Sequence, residues 1–301
     1  SDSNDIDITN NKGSYDFWVV KSTATGDIVW EKSFGGSEID EARGIVSSGD
    51  GNHVIVGDTR SNEQDVSLNN GAADLWLIKI SGNGDVLWNS SIGGSNFDVG
   101  RSIDLTFDGG FIIVGSSRSS DGDVLQNQGQ NDAWIVKINS HGDLLWERSV
   151  GGSAYDIANA VIENRKGEYV VLGQSFSQDG DIDKPLGSSD VFLSTLSPSG
   201  ELKSNKNIGD QGFDTANALL ERPDGTLILV GHKAPNALAV GEKLLSNNVF
   251  IAHTLPNGSL INQYKLIGDG LDLGFDIAQL RREIFEYSIV SEPLGRVCSA
   301  Q

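Results

Sequence analysis

The sequence predicts an all-β protein made of five copies of one four-stranded unit, and three observations predict it. The triplets DFW at Asp16, DLW at Asp74, DAW at Asp132, DVF at Asp190 and NVF at Asn248 recur every 58 residues. Glycine makes up 37 of 301 residues while proline makes up only 6, an excess that reads as tight turns and not as a linker. Within each copy, short runs rich in Val, Ile, Trp and Phe are separated by Gly, Asp and Asn, the pattern of short strands joined by turns.

The elements come in a fixed order. Each copy opens on its triplet strand, continues through a turn into a second run (GDIVWEKSFGG, GDVLWNSSIGG, GDLLWERSVGG, then GELKSNKNIGD and GSLINQYKLIGD), and reaches a repeated Asp followed by small residues. These are Asp40, Asp98, Asp156 and Asp214, with Asp276 after a short insertion in the fifth copy. A last apolar run closes the unit: HVIVG, FIIVG, YVVLG, LILVG and a degenerate YSIVS. DTANALLERPDG and DIAQLRREIFEY have helix-like composition, but their register with GRSIDLTFDGG and ARGIVSSGDGN assigns them to strands.

Four antiparallel strands at this period match the blade of a β-propeller, in which radial repetition leaves only short, protected sheet edges. Five units predict five blades in a single domain over residues 1–301, with 1–15 as a lead segment and 292–301 as a tail. The chain opens on one strand pair and ends on the complementary pair, which predicts a last blade closed by both termini.

Charge narrows the function. With 22 Lys and Arg against 42 Asp and Glu, the formal charge is −20, a field that repels nucleic-acid phosphates and anionic lipid headgroups. No apolar run approaches the ~20 residues that span a bilayer as a helix. The single Cys298 excludes an intramolecular disulfide, and no zinc spacing, phosphate loop, dinucleotide fingerprint or nucleophile elbow appears, so no cofactor is expected.

Several positions could hold a ligand. The residue before each repeated Asp is Ile39, Phe97, Tyr155, Phe213 or Phe275, aromatic in four cases of five. Such rings stack on sugars or anchor a partner, or else wedge between blades as core. Three residues after each Asp stand Arg43, Arg101, Asn159, Asn217 and Gln279, hydrogen-bond donors expected at the mouth of a central channel and suited to a carboxylate, a sulfate or sugar hydroxyls. The competing reading pairs each Arg with a nearby Asp. The repeated Asp itself reads as a device that accepts backbone N–H bonds in the preceding turn. Loops SSDGDV (Asp121, Asp123) and SQDGDID (Asp179, Asp181) superficially resemble calcium loops but lack the remaining ligand spacing. Glu41 is the one carboxylate on an inner strand that breaks the repeat, and a glycosidase needs two. In the fourth unit the DGDV loop gives way to KAPNALAVGEKLL, whose Ala234, Ala237, Leu238 and Val240 form an apolar loop of the kind that marks a contact surface.

DAWIVKINSHGDLLWERSVGGSAYD and FDGGFIIVGSSRSSDGDV resemble the SBBP-type bacterial β-propeller repeat, particularly the version in secreted and surface proteins of Bacteroidetes, over residues 5 to about 232. The resemblance implies a propeller in an extracytoplasmic setting: the periplasm, the outer membrane or the cell surface. The first residues, SDSND, are similar to those after the lipidated cysteine of lipoproteins in that phylum, implying a lipid anchor on a residue not in this sequence; a processing site or arbitrary boundary is the alternative. The expected function is a non-enzymatic binding module in the cell envelope, its partner an envelope protein such as an outer-membrane β-barrel or a component of type IX secretion. The alternative is a carbohydrate-binding module using the aromatic and Arg/Asn positions.

Overall fold

The computed structural model describes residues 8, 10–182, 185–234, 247–266, 271–281, 284–292 and 296–300, with the backbone alone for Leu271 and residues 279–300. Among the described residues there is no helix, and the strands form antiparallel sheets in a β-propeller-like, all-β fold. Both helix-like stretches are strands, as their register requires: β15 (Phe213–Glu221), β19 (Leu271–Arg281) and β20 (Ile284–Glu292).

The residues fall into two compact units, 1–127 with 134–149, and 128–133 with 150–301. The first holds the two-stranded sheet of β1 (Phe17–Ser22) and β2 (Ile28–Phe34). It also holds the four-stranded sheet β3 (Asp40–Ser47), β4 (His53–Thr59), β5 (Asp74–Ile80) and β6 (Val86–Ile92). Most of a second such sheet comes next: β7 (Asp98–Leu105), β8 (Phe111–Ser117), β9 (Asp132–Ile138) and β10 (Leu144–Val150). Within this unit β7 lies against β3, β4 and β5. The core between them is built from Val54, Val56, Leu75, Leu77, Ile103 and Trp134 with their neighbours.

The second unit holds β11 (Asp156–Glu163), β12 (Tyr169–Ser175), β13 (Asp190–Leu196) and β14 (Leu202–Ile208) as one four-stranded sheet. A second is formed by β15, β16 (Leu227–Ala234), β17 (Asn248–Thr254) and β18 (Leu260–Leu266), and β19 and β20 join β21 (Arg296–Ala300) in a three-stranded sheet. Here β15 packs on β11, β12 and β13, and β19 packs on β15, β16 and β17.

The 58-residue period explains local shape. Gly26, Gly84, Gly142, Gly200 and Gly258 all have φ between 81° and 91°, or 78° at Gly84, a left-handed conformation that glycine alone adopts freely in the turn between the last two strands. The triplet strands β5, β9 and β13 are buried along their whole length because both faces are covered. The last strands β2, β6 and β10 are exposed or half-buried until their final residues, and Trp30 lies on the glycine turn of the following copy at Gly84 as Trp88 does at Gly142.

The expected joining of the two terminal strand pairs is not what the pairing displays. The second neighbour of β20 is β21, so β1 and β2 stand as a separate sheet. The hairpin from β20 to β21 closes a shorter loop than pairing with β1 would, and so costs less chain entropy.

Three of the repeated Asp are clamps, Asp214 keeps only the backbone bond of the clamp, from Asp210 N, and Asp276 is exposed and makes no clamp. Asp98 accepts Gly94 N at 2.7 Å, Ser119 Oγ at 2.7 Å and the Ser117 hydroxyl, and Asp40 and Asp156 do the same with Gly36 and Gly152. Across Gly93 stands a second buried carboxylate, Asp74; a Cβ there would lie 2.6 Å from Asp74 Oδ1 and 2.9 Å from Asp98 Oδ2, so only glycine fits. Asp132 and Asp156 flank Gly151 in the same way. Burial, reinforced by the facing carboxylate, pushes both Asp74 and Asp132 up to about 6.

Candidate ligand site on the inner strands

Two strands and one loop of the first unit build the site. Side chains alternate across a strand, so with Asp98 turned into its clamp, Phe97 and Val99 stand on the opposite face of β7. Phe97 is held by a parallel bridge to Ala73, and its carbonyl accepts Arg118 N. The ring remains 38% exposed, with the guanidinium of Arg60 5.6 Å and that of Arg118 5.7 Å from its centre. Two cations on one phenyl ring are a cation–π arrangement that fixes all three side chains.

Arg43 on β3 donates from Nε to Asp58 at 3.0 Å and from Nη2 to Glu41 at 2.5 Å. Asp58 on β4 is the cross-strand partner of Glu41 and is nearly fully buried. Burial raises its acid above the ordinary carboxylate value even though Arg43 and Arg60 pull it down. Arg101 differs from its counterparts. Its Nε is buried without a hydrogen-bond partner, no described residue forms an ion pair with it, and burial together with the charge of Arg43 lowers its basicity.

The other predicted donors are spent on the backbone. Asn159 Nδ2 donates to Ala216 O at 3.0 Å and Asn217 Nδ2 to Gly274 O at 2.7 Å, each tying one inner strand to the next. Gln279 is not the fifth member of the set: the bulge of β19 puts Phe275 at the position of Asn217, while the backbone of Gln279 pairs with Phe285 and its side chain lies outside the described residues. The five positions therefore do not make a uniform set of ligand donors: two are structural clips and Arg43 is neutralised, though by Glu41 and Asp58 and not by Asp40.

The aromatics at the starts of the inner strands are half-exposed, not core: Tyr155 at 38% and Phe213 at 42%. The structure corrects the expected place of Phe275: it lies inside β19 at the bulge equivalent to that of Arg101, because Asp272, whose N donates to Asn247 O as Asp214 N does to Ser189 O, and not Asp276, stands at the repeated-Asp position. Phe213 has Phe176 beside it, ring centres 6.4 Å apart. The calcium-like carboxylates face N–H donors. Asp121 accepts Ser95 N at 2.8 Å, Asp123 accepts Gly93 N at 3.1 Å, Asp179 accepts Ser153 N at 2.7 Å, and Asp181 accepts the Gln128 amide at 2.6 Å. In the apolar loop, Ala234 ends β16 opposite Phe213, whereas Ala237, Leu238 and Val240 lie outside the described residues.

Sequence reasoning missed Asp58, Arg60 and Arg118. The signal was present in the register: position 58 continues as Ser116, Gln174 and His232, and position 60 as Arg118, Phe176 and Ala234. Grooves of about 370 and 300 Å³ flank Arg43 and are lined by Trp18 and either Tyr15 or Ile45. Their openness has a simple cause. Trp18 is 39% exposed and Ile45 58%, while their equivalents Trp76, Trp134, Phe192 and Phe250, and Ile103, Val161 and Leu219, are buried. These grooves are an uncovered sheet face.

No protein-family model matches the chain, and no curated protein does. Solved structures do. A protein of unknown function from Dyadobacter fermentans is 15% identical, with a TM-score of 0.52 over 91% of this chain and 77% of its own. The α-L-arabinofuranosidase Arb93A from Fusarium graminearum, bound to an iminosugar inhibitor, is 12% identical with a TM-score of 0.52 over 83% of this chain and 74% of its own. The GH93 enzyme of that fungus in complex with arabinobiose matches with the same values. At this identity the likeness is one of fold. It corrects the expectation of a clearly non-enzymatic protein-interaction module, since the fold is one that glycoside hydrolases also use.

Proposed function

We propose that the protein engages carbohydrate through the half-exposed aromatics that precede its inner strands, with guanidinium donors beside them. Phe97 carries the proposal. A sugar ring presents a C–H face to a phenyl ring and hydroxyls to nearby donors, and Phe97 is 38% exposed with the guanidiniums of Arg60 and Arg118 within 6 Å of its centre. A glycan array probed with the native chain and with Phe97→Ala tests it; binding retained in full by the variant would defeat the proposal.

One observation favours a second reading, glycoside cleavage. It needs two carboxylates of unlike acidity, and Asp58, raised by burial, stands opposite Glu41. Hydrolysis of aryl glycosides that survives Asp58→Asn unchanged would dismiss it.

We further propose that the 58-residue repeats correspond to five blades. The recurrence of the triplets at that period supports this. The extracytoplasmic setting belongs to the same proposal and rests on the SBBP-like motifs.

A further inference from the structure

We propose that the sugar recognised by the first unit carries a negative charge, and that Arg101 receives it; this rests on the carbohydrate reading above. At the positions equivalent to Arg101, the asparagines spend their amides on the neighbouring strand and Arg43 spends its guanidinium on two carboxylates. Of the described side chains at these positions, Arg101 alone has a buried donor with no hydrogen-bond partner; the described carboxylate that acts on it, Asp58, is already hydrogen-bonded to Arg43. A guanidinium held partly out of water without an acceptor is costly, and an anion is the group that relieves it.

The surroundings point the same way. Arg43, Arg60 and Arg101 bring three positive charges around Asp58, against the two carboxylates Glu41 and Asp58, both already on Arg43. The local balance is thus positive on a protein of net charge −20. At physiological salt the Debye length is ~8 Å, so the distant negative charges are screened from a ligand seated here. Phe97 and Arg101 are four residues apart on a strand bulged at Arg101, so their backbones are at most roughly 13 Å apart, and a ligand of more than one sugar ring can stack on the ring and reach the guanidinium. A uronic-acid oligosaccharide meets both demands: C–H faces for Phe97 and a carboxylate for a bidentate guanidinium.

The test is calorimetric titration with trigalacturonic acid and with its fully methyl-esterified form, which keeps the rings and removes the charge. The free acid is expected to bind at least tenfold more tightly. Arg101→Asn is the variant of choice because asparagine fills the same position in two other copies, so its fold is expected to persist. It should bring the acid down to the affinity of the ester and leave the ester unchanged. Equal binding of acid and ester overturns the acidic class and leaves the carbohydrate reading standing. Binding of neither, while inorganic sulfate is still held by the native chain and lost in Arg101→Asn, overturns the carbohydrate reading and leaves an anion site. Binding of none of the three probes overturns both.

Discussion

Replacing Asp74 by Asn should stabilise the protein at neutral pH and do little in mild acid. Asp74 is fully buried, faces Asp98 across Gly93, and has its acid raised to about 6 from an ordinary 3.8. Below the lower value the carboxyl is protonated in both folded and unfolded chains. As the pH climbs from about 4 to about 6, the unfolded chain releases the proton freely while the folded chain holds it. The folded state therefore binds more protons, and stability falls as pH rises through that window, then levels off. A separation of about two units corresponds to about 3 kcal/mol at 1.36 kcal/mol per unit. Asparagine keeps an oxygen to accept Asn70 N, as Asp74 Oδ2 does at 2.7 Å, and carries no charge to be desolvated. Urea unfolding followed by tryptophan fluorescence should show the variant more stable than the native chain by about 2–3 kcal/mol at pH 7.5 and by no more than about 1 kcal/mol at pH 4.5. The native chain itself should lose stability between pH 4.5 and 6.5, with Asp132 contributing in the same direction. A native profile that is flat or rising across that window, or a variant equally destabilised at both pH values, would refute the reasoning.

Millimolar calcium should move the melting temperature by no more than a degree or two, since Asp121, Asp123 and Asp179 accept backbone N–H groups that would have to be given up to a cation. A rise of many degrees in thermal unfolding would make metal sites of these loops. Trp18 is 39% exposed where its equivalent Trp76 is fully buried, so hydroxyl-radical footprinting should label the Trp18 peptide strongly and the Trp76 peptide weakly; equal protection of the two would contradict an uncovered face at β1.

The strands were legible because the period is long and repeated: one alignment of five copies overrode helix-like composition in DTANALLERPDG. The clamp role of Asp98 was legible for the same reason, since a residue present in every copy serves the copy. The site was harder to read because function lies in departures from the repeat. Glu41 was visible as a departure, but its partner Asp58 sits on the neighbouring strand, and only the cross-strand register of β3 with β4 brings the two together. Arg43, Arg101, Asn159 and Asn217 looked alike as donors in sequence. What separates them is where each acceptor lies: a carbonyl of the next strand 2.7 Å from Asn217, and no acceptor at all for the Nε of Arg101. The exposure of Phe97 also had no signal in the sequence, because the same residue type fills core positions such as Phe17 and Phe111.

Carbohydrate binding at Phe97 is tested most directly by calorimetric titration of the strongest ligand from the glycan array into the native chain, Phe97→Ala and Phe107→Ala. Phe107 is the control: at 72% exposed it is the more accessible ring, and it stands beyond the opposite end of β7. Loss of an aromatic platform costs ~1–3 kcal/mol, about tenfold or more in affinity. That loss is expected for Phe97→Ala, with Phe107→Ala binding as the native chain does and all three proteins melting within a few degrees of one another. Equal affinity in Phe97→Ala and the native chain would contradict carbohydrate recognition at this ring.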